Sequence, residues 1–272
     1  MTWIDGTTTT GVPYIARAAA RPEAPTVVGW HLLDPPSSPA AMAAALPLAG
    51  LDAHVIYLGL PLTGARTVHS GFEELLASGI DMVTEFYGPM HEQALTEFPA
   101  ALTELRGLRG ASDASALAVL GGSAGASVAA DVVATHGASS RIAAAVLMNP
   151  MLRLRPMIDA MAAFLPAPYR WSAAADAVAA RMDFVARAPE LAASGARLLV
   201  IEGADDEPPI IEAVRAFEQL GVGEVEYVDG VAHALAEWPG DAAAPQTSAA
   251  REYDRRAAQW LERVLDGAVP PA

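Results

Sequence analysis

The chain has 272 residues, 53% of them hydrophobic, and a formal net charge of -15; this length suits one α/β domain with a modest insertion, or two small domains, and argues against wholesale disorder. Its basic residues are all arginines, which rules out a Schiff-base lysine, a P-loop lysine and a Ser-Lys dyad, while the acidic balance disfavours nucleic acid and anionic membrane surfaces as partners. The absence of cysteine removes disulfides, thiolate zinc sites and a Cys nucleophile, and fits a cytoplasmic location.

The opening MTWIDGTTTTGVPY has neither a basic n-region nor an apolar h-region, so no signal peptide is expected. Apolar runs are broken by Gly, Pro or charge before about 18 residues, too short for a membrane span. VPYIARAA (12–19) reads as an early strand, and TVVGWHLL (26–33) as a strand buried on both faces. A loop, DPPSSP, precedes a helical pattern at 40–50. AHVIYLGLP (53–61) is a second buried strand, and the stretch from Leu62 to about Thr84 is irregular. A helix is expected over about 90–108, ended or kinked by Pro99. SALAVL (115–120) then reads as a strand and SVAADVVATHG (127–137) as a helix with a glycine stop. Further strands are expected at 143–149, 196–203 and 224–230, and an amphipathic helix at 248–265. From Met151 to Leu191 there are helical patterns and no strand.

Alternating buried strands and helices imply an α/β fold, a mostly parallel sheet flanked by helices on both faces. Its core is expected to be residues 1–150 and 192–272, with 151–191 a small helical, cap-like insertion. Met151, Met157, Met161, Phe164, Tyr169 and Trp171 in that insertion suggest an apolar acyl or alcohol site, although at helical spacing such residues more often pack a core. An apolar pocket in an acidic protein favours neutral esters over anionic thioesters, unless Arg153 and Arg155 reverse that locally.

Between the strand at 115–120 and its following helix lies Gly121-Gly122-Ser123-Ala124-Gly125, a G-x-S-x-G pattern. A sharp strand-to-helix turn holds the central Ser at strained backbone angles, and glycines two positions either side avoid clashes. The hydroxyl is thereby raised clear of the sheet, and the Ala124 N–H points, with the helix dipole, to where an oxyanion would form. The bland alternative is a small-residue turn that lets a helix pack close to a strand.

A serine hydroxyl needs a base. Of six histidines, His54 starts a buried strand, His31 ends one, His69 and His91 belong to the irregular region, and His136 is on the exposed end of a helix. His233 lies in DGVAHALAEWP, a loop of small residues after the last strand. A carboxylate to orient it is available at the end of the preceding strand, where Asp205 and Asp206 are adjacent; either acid, or Glu207, can instead cap the helix starting near Pro209. Ser123, an Asp and His233 therefore follow in chain order at the carboxyl ends of strands, the edge where open parallel sheets bind ligands.

Together these features resemble the α/β-hydrolases over nearly the whole chain, including serine esterases and the dienelactone-hydrolase-like and prolyl-oligopeptidase-like enzymes. The resemblance implies a triad of Ser123, Asp206 and His233. Its G-x-x-D pattern falls on Gly203-Ala204-Asp205-Asp206 and selects Asp206, with Asp205 as alternate, and its GxGH-like turn falls on Gly230-Val231-Ala232-His233. Many members carry His-Gly in the loop that supplies the second oxyanion donor; this chain has His31-Leu32-Leu33-Asp34, so the donor would be the N–H of Leu33 or Leu32, alongside Ala124. The implied activity is hydrolysis of a small carboxylic ester, with no metal or organic cofactor. Acyl transfer, thioester or peptide cleavage by the same triad, and a catalytically silent binding protein, remain open, as does the oligomeric state.

Overall fold

The computed structural model describes residues 2–67, 74, 78–161 and 168–266; His69 and Phe164 lie outside them. Its sheet has eight strands: β1 (Trp3–Thr7), β2 (Pro13–Arg17), β3 (Thr26–Trp30), β4 (His54–Leu58), β5 (Leu117–Gly122), β6 (Ile142–Met148), β7 (Arg197–Gly203) and β8 (Glu224–Val228). They run in the order β1-β2-β4-β3-β5-β6-β7-β8. β2 is antiparallel to both β1 and β4, and every other pairing is parallel.

The central parallel strands are largely apolar on both faces because helices cover both. Leu117 and Val119 of β5, Leu198 and Val200 of β7 meet α2 (Gly88–Arg109), α3 (Ala124–His136) and α7 (Pro208–Glu218). The intervening Ala118, Leu120, Leu199 and Ile201 meet α1 (Pro39–Ala45) and α8 (Ser248–Asp266) on the other face. Among the described residues between β6 and β7 run three short helices, α4 (Leu154–Met161), α5 (Ala173–Arg181) and α6 (Ala188–Ala193). No helix of the described residues is long and apolar enough to cross a membrane.

Several expectations need correction. β1 carries a glycine and mostly half-exposed residues, so it has no buried-strand signature, and it forms by pairing Trp3–Thr7 with β2. The run at 26–33 stops being strand at Trp30, and its last residues form the loop beside the elbow. The first helix ends at Ala45, before Pro47. The expected helix near 90 is preceded by a π-helical turn, Met82–Tyr87, capped by Asp81, whose carboxylate accepts from the N–H groups of Val83 and Thr84. His91 therefore sits inside α2 and is buried, not in irregular chain.

Pro99 does not end α2, which continues to Arg109. Proline cannot donate to the carbonyl four residues back, and that Leu95 carbonyl accepts instead from His136 Nε2 of α3 at 3.3 Å. The helix after the elbow begins at Ala124, three residues earlier than expected, directly after Ser123.

Candidate active site

Chain order turns back between β3 and β5: β4 lies on one side of β3, and β5 to β8 extend from the other. This is the switch point at whose carboxyl ends open parallel sheets place a binding crevice. The Ser123 elbow and the loop from His31 to Ser37 flank it.

Ser123 has φ 50° and ψ -119°, a left-handed conformation that costs a non-glycine residue about 1–3 kcal/mol. The surrounding packing imposes it. A Cβ on Gly121 would lie 2.2 Å from the Gly125 carbonyl oxygen, and one on Gly125 would lie 2.3 Å from that of His31. Both neighbours are backbone, so the two glycines let strand, helix and the β3 loop close on one another. Ser123 N–H donates to the Met148 carbonyl at 2.9 Å, which ties the elbow to the end of β6.

The structure brings Ser123, His233 and Asp206 together. The Ser123 hydroxyl lies 2.7 Å from His233 Nε2. His233 Nδ1 faces both carboxylate oxygens of Asp206 at 2.9 and 3.0 Å. With Nδ1–H donating to the carboxylate, Nε2 is left to accept from the serine. The Asp206 side chain is fully buried, and that of His233 is 14% exposed. Burial alone pulls the imidazole pKa down; the hydrogen bond and charge of Asp206, helped by Asp34 and Glu207, outweigh it and hold the pKa above its ordinary value. Asp205 is exposed and is not brought to the imidazole; its N–H donates to the Val231 carbonyl at 3.0 Å.

The β3 loop is held by His31. Its buried ring takes Leu60 N–H on Nε2 at 3.1 Å and bonds the Leu32 carbonyl through Nδ1 at 2.6 Å. Burial lowers its pKa to about 4, so the ring is neutral. Leu32 N–H is already used, donating to the Pro36 carbonyl at 3.1 Å. The N–H groups of Leu33 and Ala124 make no hydrogen bond among the described residues.

The other candidates have structural surroundings. His54 is buried between Ala19 N–H and the Arg21 carbonyl. His91 faces Asp131 at 3.4 Å and stacks on Phe184. Met151 is buried, and Met157, Met161, Tyr169 and Trp171 pack against the core. Tyr169 donates to Asp81 at 2.7 Å and Trp171 to Asp159 at 2.8 Å. Arg153 pairs with Asp183 and Arg155 with Asp176. Among the described residues no three His, Asp or Glu side chains converge as a metal site.

Two residues that sequence reasoning missed adjoin the site. Asn149, at φ 41°, closes β6. Its Nδ2 donates to the carbonyls of Ala232 (3.1 Å) and His233 (2.8 Å), while Oδ1 accepts from Gly203 N–H (2.9 Å) and Tyr253 hydroxyl (2.6 Å). One amide thus locks the histidine loop to the strand that leads to Asp206. The available signal was a polar residue ending a wholly apolar strand. The second is Glu202, fully buried beside Asp206, to which its acid proton can donate. Burial, then the Asp206 charge, raises its pKa to about 9, so it stays protonated at neutral pH.

No protein-family model matches the sequence, and no curated protein matches it. Solved structures do. Est1E from Butyrivibrio proteoclasticus is similar at TM-score 0.62 and 12% identity, over 97% of this chain and 99% of that one. A structure from work on carboxylesterases of Nitrososphaera gargenis is similar at TM-score 0.56 and 14% identity, over 98% of this chain and all (100%) of that one. Dienelactone hydrolase from Anabaena variabilis is similar at TM-score 0.55 and 14% identity, over 97% of each chain. With the strand order, the two-sided helical layers and the elbow between β5 and α3, these likenesses identify the architecture of this chain as the α/β-hydrolase fold.

Proposed function

We propose that this chain is a serine hydrolase that cleaves carboxylic esters through an acyl-enzyme. His233 Nε2 takes the Ser123 proton as Oγ bonds to the ester carbonyl carbon, and the carbonyl electron pair moves to oxygen. When the tetrahedral intermediate collapses, the carbon–oxygen bond to the alcohol breaks and the proton on Nε2 passes to the departing oxygen. Water then repeats the sequence: it gives a proton to Nε2, attacks the acyl carbon and releases the acid, and the proton returns to Ser123. Asp206 fixes the imidazole tautomer and offsets its developing charge. The N–H groups of Leu33 and Ala124 receive the oxyanion, and each such donor contributes about 3 kcal/mol of transition-state stabilisation. This chemistry calls for no metal or organic cofactor.

The observation that carries the reading is the continuous hydrogen-bonded line from Ser123 Oγ through His233 to buried Asp206. Its support from the fold is the placement of the three at the carboxyl ends of β5, β8 and β7, beside the crevice. The test is hydrolysis of p-nitrophenyl butyrate by the native chain and by Ser123→Ala. The expected loss is about 10³-fold or more, with an organophosphonate labelling Ser123 in the native protein alone. Undiminished hydrolysis by Ser123→Ala would overturn the assignment.

A further inference from the structure

We propose that Asp34 makes the leaving-group side of this site selective for positive charge, so that its preferred substrates are esters whose departing alcohol carries a cation. The inference rests on the hydrolase reading above. The departing oxygen must come within hydrogen-bond reach of His233 Nε2, because that nitrogen returns the proton to it. Asp34 Oδ2 lies 3.8 Å from the same nitrogen. Substituents on the departing oxygen therefore pass close to this carboxylate.

The carboxylate is available for such a role. Its side chain is 45% exposed, and among the described residues it forms no ion pair with an arginine. Asp206 is the near counter-charge to that imidazole at 2.9 Å, and Asp34, farther off, adds to it while its outer side stays open to a second cation. Its position is fixed by the backbone on either side. Leu32 N–H donates to the Pro36 carbonyl, Ser37 N–H to that of Gly240 at 2.8 Å, and Leu235 N–H to that of Pro35 at 2.9 Å. These bonds pin the backbone of the Asp34 loop to the chain just beyond His233.

The surroundings share its sign. Glu207 is exposed at the start of α7, and its side chain makes no capping bond. The fields of both Asp34 and Glu207 reach His233. Arg153 and Arg155, the basic residues that follow β6, are paired with Asp183 and Asp176. An anionic leaving group meets repulsion here, a neutral one meets a carboxylate it cannot neutralise, and a cation gains a partner.

The test compares two esters of equal shape, 2-(trimethylammonio)ethyl butyrate and its neutral isostere 3,3-dimethylbutyl butyrate. The native chain is expected to favour the cationic ester in kcat/KM by about tenfold at low ionic strength, less in high salt. Asp34→Asn is expected to bring the ratio near one, and Asp34→Glu to retain a preference. Inactivation by methylphosphonates bearing the same two leaving groups reads the same ratio independently of the acyl pocket. Ser123-dependent reaction at equal rates for the charged and neutral partners, or a preference unchanged in Asp34→Asn, overturns the role of Asp34 and leaves the hydrolase reading standing. Failure of every ester and phosphonate to react at Ser123 ends both.

Discussion

The triad loops and the segment between β6 and β7 lie at the same end of the sheet but are held by different forces. Around the triad the ties are backbone amides and buried side chains: Ser123 to Met148, Asp205 to Val231, Asn149 to four partners. None of these groups can exchange its partner for water without local unfolding, so their geometry is strongly determined. Along 151–191 backbone ties such as Phe184 N–H to the Leu152 carbonyl are joined by ion pairs between half-exposed side chains, such as Arg155–Asp176 and Arg181–Glu92. Those groups lose little when they part. The contrast teaches that the geometry of the Ser123–His233–Asp206 line is a property of the sheet edge, while the neighbouring segment is free to vary its exposed charge pattern at small cost.

The largest expected departure tests the buried side of that contrast. Glu202 has a folded pKa of about 9 against an ordinary 4.5. A raised acid pKa means that the folded state keeps a proton the unfolded chain releases. Its contribution is full below pH 4.5 and is lost progressively as pH rises toward 9. Glu202→Gln removes that titration. Relative to the native chain the variant is expected to gain stability with rising pH, on the order of 3–4 kcal/mol between pH 5 and pH 8. Urea unfolding across that range measures it. A difference independent of pH would mean that Glu202 is ionised in the fold.

Asn149 comes next. Asn149→Ala strands Gly203 N–H, the Tyr253 hydroxyl and two loop carbonyls, and places alanine at φ 41°. The expected loss is about 3 kcal/mol, read by denaturant midpoint. Because the same amide holds the His233 loop, kcat for an ester substrate is expected to fall more than 1/KM does. Equal stability would show that water replaces the amide, and that the loop is less tightly specified than its bonds imply.

How much of this was legible in the sequence follows the same division. The central strands could be read because parallel strands buried on both faces become unbroken apolar runs, as in VVGW and LAVL. The elbow could be read because the close approach of Gly121 and Gly125 to backbone leaves only glycine a place. The spacing of Asp205 and Asp206 alone did not choose between them; the turn after β7 buries one carboxylate and exposes the other. β1 was hidden, since a half-exposed edge strand lacks the apolar pattern. The persistence of α2 through Pro99 depended on His136, distant in sequence, reaching the carbonyl that proline leaves free. Asn149 and Glu202 gave no periodic signal, because their roles arise only when three strand ends meet.

The smallest expected effect compares two ion pairs that reach the intervening segment. Arg181 and Glu92 lie 2.6 Å apart with side chains 49% and 62% exposed. Arg187 and Asp131 lie 2.9 Å apart with side chains 17% and 9% exposed, and Asp131 also faces His91. Burial opposes ionisation of Asp131, and its bond to His91 together with the Arg187 charge more than offsets this, holding its pKa below the ordinary value. A double-mutant cycle on Arg181 and Glu92 is expected to give a coupling of at most about 0.5 kcal/mol that fades in high salt. The same cycle on Arg187 and Asp131 is expected to give a coupling larger by about 1 kcal/mol and resistant to salt, because water and ions reach the pair poorly. Equal couplings would place both pairs in the same solvent environment. The Arg187 bridge to α3 would then add no more than a surface ion pair does to the polar ties that Met151 makes with Ser123 and Ser127.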